Sequence, residues 1–238
     1  MLKKIIRKHH WLYYQLISLP FNKQKRVDIH ISRYVKGLSN GVFLDIGSNV
    51  GKIGYLVKGK SRLIVGVEPL NHLYNYCVDS GSYGKMFNCA LGSEIGKFTL
   101  KVPITNGRPV YTRASLEDVE GNDFLELEVK VDTADRIFQD IKSDIRFIKI
   151  DVEGHEEGVL RGFSLLNEMN GIHVIIELEL RHGDSCLRAV RLLKEYGFKY
   201  SGFIASKGKV DAREMDLIDF LSDPIYKNEY VNNFCFYK

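Results

Sequence analysis

Apolar residues along this chain alternate between two spacings. Val42–Ile46 is a short apolar run, followed by a glycine-rich turn and a helical pattern from about Val50 to Val57. Arg62–Val67 repeats the strand pattern, Asn71–Ser80 repeats the helical one, and Lys85–Cys89 reads as a third strand. Alternation at this spacing predicts βαβ units, in which right-handed crossovers join parallel strands. Gly96–Val102 and Leu125–Val131 instead switch polarity residue by residue, as exposed antiparallel strands do, across a loop holding Gly107, Pro109 and Gly121. A helix is expected over Val131–Ile141, capped by Asp132 or Thr133. The buried pattern resumes with a strand at Arg146–Ile150, a helix near Glu156–Gly162 and a strand at Ile172–Leu178. Ser185–Tyr196 is an amphipathic helix closed by Gly197. Phe198–Ile204 and Asn233–Tyr237 are expected to finish the sheet as an antiparallel pair. The fold class is α/β, with a mostly parallel Rossmann-like sheet.

Residues 1–38 precede this pattern and read as a basic, amphipathic helical arm, leaving 39–238 for the domain. Leu2, Ile5, Ile6, Leu12, Tyr13, Leu16 and Ile17 fall near helical spacing, with Lys3, Lys4, Arg7 and Lys8 largely off that face. The apolar stretch Trp11–Leu19 is too short to span a bilayer and contains Gln15. No small-residue cleavage site follows it, so it does not read as a signal peptide. Two readings of the arm stand: a helix packed on the domain or a partner subunit, or a helix lying on a membrane surface. Basic residues opposite Trp, Leu and Tyr suit anionic headgroups.

Composition sharpens this. The chain has 238 residues, 45% hydrophobic and 27% charged, which suits one α/β domain with an appendage. Residues 1–27 hold seven basic side chains and no acidic one, leaving 27 basic against 30 acidic residues in the rest. The body is therefore slightly acidic and offers no basic footprint for nucleic acid. Cys77, Cys89, Cys186 and Cys235 are scattered, with no C-x-x-C pair, and read as free thiols in a reducing, cytoplasmic setting. If the arm binds membrane, the location is peripheral at the inner face.

The most informative segment is Phe43-Leu44-Asp45-Ile46-Gly47-Ser48-Asn49-Val50-Gly51-Lys52-Ile53-Gly54. A buried strand runs into glycines and then a helix, at the edge where open α/β sheets bind nucleotides. The spacing is G-x-x-x-G, whereas a dinucleotide fingerprint is G-x-G-x-x-G. Asp45 beside the turn would repel a pyrophosphate and would suit a cation such as the ammonium of a methionine moiety. In Val65-Gly66-Val67-Glu68-Pro69, Glu68 ends the second strand, where a carboxylate can accept both hydroxyls of a ribose. Asn88-Cys89-Ala90-Leu91-Gly92 follows the third strand, within reach of an adenine ring or as a plain turn. Phe147-Ile148-Lys149-Ile150-Asp151-Val152-Glu153-Gly154-His155-Glu156 is the second dense cluster. Its strand delivers Asp151 and Glu153 to the C-terminal end, His155 follows at a helix start, and the next strand ends at Glu177 and Glu179.

In this order, FLDIGSNVGKIG, VGVEP, NCALG, VDTADRIF, FIKIDVEGHEEGVLRGF and VIIELE resemble the FkbM-type methyltransferases over about Gly41 to Leu180. The resemblance implies a class I methyltransferase fold, S-adenosylmethionine as donor and O-methylation of a sugar, glycan or small secondary metabolite; a membrane-surface arm would suit a lipid-linked acceptor. Carried onto this chain, Asp45, Gly47, Ser48, Asn49 and Gly51 would cradle the methionine part. Glu68 would take the ribose, and Asn88 and Ala90 would sit at the adenine. Asp151, Glu153 and His155 would border the transferred methyl. His155 is the natural base, since an imidazole changes charge near neutral pH, with Asp151 or Glu153 as orienter or rival. The carboxylates also suit Mg²⁺. Rival readings are a nicotinamide-dependent oxidoreductase, against which the turn spacing counts, and a noncatalytic interaction module. A nucleic-acid N-methyltransferase would carry a motif such as N/D-P-P-Y, which is missing from the sequence.

Overall fold

A computed structural model of the chain describes residues 23–36, 41–117, 123–182, 184–211 and 231–238. The apolar stripe of the arm, Leu2 to Ile17, lies outside them. No helix among the described residues is long and apolar enough to cross a membrane.

The helices are α1 (Lys23–Lys36), α2 (Lys52–Val57), α3 (Asn71–Asp79), α4 (Ala134–Phe138), α5 (Glu156–Arg161) and α6 (Ser185–Glu195). The first strands are β1 (Val42–Ile46), β2 (Leu63–Val67), β3 (Lys85–Phe87), β4 (Ala90–Leu91), β5 (Gly96–Thr105), β6 (Arg108–Pro109) and β7 (Phe124–Asp132). The rest are β8 (Ile145–Ile150), β9 (His173–Glu177), β10 (Lys199–Ala205), β11 (Gly208–Val210) and β12 (Asn233–Tyr237). Among the described residues, eight strands form one sheet in the order β11-β10-β12-β9-β8-β1-β2-β3. β3, β2, β1, β8 and β9 run parallel, and β12 inserts antiparallel between β9 and β10. This is a Rossmann-like sheet. The chain leaves β1 toward β2 and β3, then returns to build β8 and β9 on the other side. That reversal opens a crevice at the carboxyl ends of β1 and β8.

The parallel strands are apolar on both faces because helices cover both. Val42, Leu44 and Ile46 face one layer with Ile148, Ile150 and the buried faces of α4, α5 and α6. Phe43 and Phe147 face the other, against Val27, Ile31 and Val35 of α1 and Ile53 and Val57 of α2. The last third of the 1–38 segment is thus packed into the same core as the sheet.

A smaller sheet in the order β4-β7-β5-β6 stands beside the large one, with β5 and β7 paired antiparallel. The helix expected over Val131–Ile141 is shorter. Strand pairing continues through Asp132, Thr133 caps α4 by accepting from the Arg136 amide at 3.3 Å, and residues Gln139–Asp144 tighten into a 3₁₀ turn. α2 likewise starts at Lys52 rather than Val50, because Asn49 and Gly51 both adopt positive φ. All four cysteines are buried thiols, none joined in a disulfide.

Candidate active site

One cavity of about 700 Å³ opens at the topological switch. Asp45, Gly47, Ser48, Asn49, Glu68 and Ala90 line it together with Asp151, Glu153 and His155. Gly51 and Asn88 do not. Gly51 turns the chain into α2. Asn88 donates to the carbonyls of Glu68 and Pro69 at 3.0 and 3.1 Å, and so braces the β2 end.

The β1 loop needs its glycine for a steric reason. Gly47 has φ 81°, and a Cβ there would lie 1.8 Å from the Asp151 carbonyl oxygen. The β1 and β8 ends can approach only without that side chain. The Gly47 and Ser48 amides both donate to the Val67 carbonyl, at 3.1 and 3.0 Å. Glu68 is clamped beside them. Its two carboxylate oxygens accept from the amides of Asn49 at 2.8 Å and Leu70 at 2.9 Å. Burial nonetheless pushes its pKa up to about 7. Each oxygen keeps a second lone pair for a ligand hydroxyl.

Asp45 and Lys149 are register partners in β1 and β8, on the face that looks toward α1 and α2. Asp45 accepts from the Tyr83 hydroxyl at 2.5 Å, and burial raises its pKa to about 6. Lys149 is buried between Ile148 and Ile150 and donates to Asp151 at 2.5 Å. Burial alone would lower its pKa, but the charges of Asp151, Glu177 and Asp45 outweigh it and hold the ammonium above the usual lysine range. Burial, reinforced by Asp151, pushes Glu177 well up. Asn232 donates to both Glu177 and Glu179, the latter at 2.9 Å.

The loop after β8 is strained. Glu153 has φ 54°, a left-handed conformation that a non-glycine residue rarely takes, and Gly154 follows at 103°. Burial and then Asp151 raise the Glu153 pKa to about 7, against the pull of Arg181, which bonds it at 2.6 Å. Arg181 also pairs with Glu179. Glu156 turns back to accept from the amides of Val152 and Gly154, at 3.3 and 3.1 Å, which fixes the loop from beneath. His155 immediately precedes α5. Its Nδ1 lies 2.6 Å from the Glu117 carboxylate. The ring lies against Gly158, where a Cβ would come within 2.3 Å of Nε2.

These pairings decide the metal question. Among the described residues, no three His, Cys, Asp or Glu side chains converge as metal ligands. Asp151, Glu153, Glu177 and Glu179 are matched instead by Lys149, Arg181 and Asn232. The arrangement does not fit Mg²⁺.

Several cavity residues escaped the sequence reading. Lys149 left a signal, since a lone charge inside a buried apolar run demands partners. Asp28 of α1 pairs with Lys52 on the cavity wall. Arg113 on the cavity wall and Glu117, which bonds His155 from outside the lining, come from the stretch after β6, where no periodicity marks them.

Residues 45–200 match the family model described as the methyltransferase FkbM domain. No curated protein matches the chain. Among solved structures, the methyltransferase FkbM from Methylobacillus flagellatus KT aligns at 16% identity and a TM-score of 0.47, over 84% of this chain and 44% of its own. The chain thus spans less than half the length of that protein. The O-methyltransferase from Bacillus cereus, in complex with SAH, aligns at 10% identity and 0.48, over 97% of this chain and 88% of its own. A TehB-like SAM-dependent methyltransferase from Corynebacterium glutamicum aligns at 10% identity and 0.49, over 89% and 87%. The family match covers well over half the sequence and contains both the Gly47 turn and the Asp151–His155 loop, and the chain belongs to the FkbM methyltransferase family.

Proposed function

We propose that the protein is an S-adenosylmethionine-dependent O-methyltransferase acting on a hydroxyl of a sugar, glycan or small secondary metabolite. The observation that carries this reading is the meeting, in one cavity, of the β1 and β2 carboxylates with the Asp151–His155 loop. The donor set fits such a cofactor. In this reading Glu68 offers free lone pairs to a ribose diol, and the buried carboxylate of Asp45, which lines the same cavity, holds the ammonium. S-adenosylmethionine, when bound, supplies a methyl group activated by its sulfonium charge.

The chain's own contribution is alignment and proton removal. Holding donor and acceptor in contact lowers the barrier by roughly 7–11 kcal/mol in favourable cases. His155 is the base in this reading. With its proton on Nδ1 it donates to Glu117, leaving Nε2 to accept the hydroxyl proton. Glu117 is then a positioning residue, fixing the tautomer and stabilising the imidazolium.

Calorimetry with S-adenosylhomocysteine and NAD, followed by methyl transfer from labelled donor to a panel of glycosides, tests the assignment. The expected result is binding of S-adenosylhomocysteine alone, weakened by at least ~1.5 kcal/mol in a folded Glu68→Ala variant, the lower range for charge-assisted hydrogen bonds. Binding of NAD in preference, or unchanged affinity in the variant, would overturn it.

A further inference from the structure

Four cationic side chains, Lys52, Arg113, Lys149 and Arg181, line the cavity. Three of them are neutralised in place. Lys52 pairs with Asp28, Lys149 with Asp151, and Arg181 with both Glu153 and Glu179. The side chain of Arg113 alone among the four has no acidic or hydrogen-bonding partner among the described residues.

Its backbone is held firmly. Arg113 ends a 3₁₀ turn, Tyr111–Arg113, and its amide donates to the Val110 carbonyl at 3.0 Å. The Tyr111 ring meets His72 of α3 edge-on at 4.5 Å. Tyr111, Ala114 and Leu116 pack on Leu70, Leu100 and Val129. The turn therefore presents an exposed guanidinium on the cavity wall from an anchored base. Its charge is felt at His182, which stands near Glu153 and which burial and Arg181 lower most, with Arg113 lowering it further.

The buried carboxylates Asp45 and Glu68 stand at the β1 and β2 ends, where a cationic donor suits them. Arg113, a cation without such a partner, lines the same cavity from the turn that packs on Leu70. A guanidinium presents a planar fork of N–H donors that matches a carboxylate or a phosphate with two parallel hydrogen bonds. On the methyltransferase reading above, we propose that the acceptor is anionic. It carries a carboxylate or phosphate near the methylated hydroxyl, and Arg113 is the residue that selects it.

The test uses the full chain, with and without saturating S-adenosylhomocysteine, and calorimetric titration of glucose, glucuronate and glucose 1-phosphate. The expected result is that at least one of the anionic sugars binds about tenfold or more tightly than glucose, the scale of one charge-assisted pair. Arg113→Ala should abolish the difference and Arg113→Lys should restore part of it, with S-adenosylhomocysteine affinity retained as the check on folding. Which of the two anions binds more tightly distinguishes a uronate-like from a phosphate-bearing acceptor. Equal affinity for the three sugars, no binding by any of them, or an anion preference that survives Arg113→Ala would overturn the proposal. Failure of S-adenosylhomocysteine to bind the wild type would instead strike the methyltransferase reading, and the sugar titrations without it still decide the role of Arg113.

Discussion

A single histidine illustrates how much of the site is set by neighbours rather than by residue type. His155 is held flat on α5 because Gly158 has no side chain, and its Nδ1 is claimed by Glu117. If His155 removes the acceptor proton, His155→Ala lowers turnover by about 10²-fold or more and leaves S-adenosylhomocysteine affinity nearly unchanged. Glu117→Gln keeps the hydrogen bond but not the negative charge. Its effect should be smaller and appear as a displaced pH profile of kcat with little change in KM for the donor. Wild-type turnover in His155→Ala would move the proton to Glu153, whose raised pKa of about 7 makes it the next candidate. The pairing with Glu117 was not legible in the sequence, because 38 residues separate the partners and only the fold brings the loop across.

Elements with strong periodicity were legible and weak ones were not. β1, β2, β8 and β9 are largely buried on both faces, so each reads as a short, mostly apolar run, and the turn between β1 and α2 announces itself by its glycines. β4, β6 and β11 are two or three residues long and carry no period to detect. α1 was harder for another reason. Its sequence, KQKRVDIHISRYVK, is so basic and polar that composition hides the apolar positions Val27, Ile31 and Val35, which recur every fourth residue. That spacing places all three on one face, against Phe43, Phe147 and Ile175. The consequence is testable with one substitution. Ile31 is fully buried, and Ile31→Ala should cost about 2–5 kcal/mol of unfolding free energy, the range for truncating a core aliphatic residue. Urea denaturation reads this directly. A loss below about 0.5 kcal/mol, as for a surface position, would show instead that α1 contributes nothing to the core.

At the scale of the molecule, the crevice concentrates acids that the core cannot hydrate. Burial raises Asp45 to about 6, and Glu68, Glu153 and Glu156 to about 7. Each of these groups binds its proton more tightly folded than unfolded. Its contribution to stability is therefore fully present below the unfolded pKa and is lost as pH rises through the folded value. The window runs from about pH 4 to about 7. Three histidines work in the opposite sense, because burial lowers the pKa of His30, His173 and His182 and disfavours the fold as they protonate. The total pH dependence is a partial cancellation, so one carboxylate must be isolated to see its share. Glu156 suits this. It is almost completely buried, it holds the Val152 and Gly154 amides, and glutamine can keep an acceptor in the same place without titrating. The stability of the wild type relative to Glu156→Gln should be higher at pH 4.5 than at pH 8, by on the order of 2 kcal/mol, somewhat below the full value of such a shift. Urea midpoints of both proteins at the two pH values measure it. An identical difference at both would mean that Glu156 ionises at its ordinary pKa, and that the loop beneath the crevice is wetter than its burial implies.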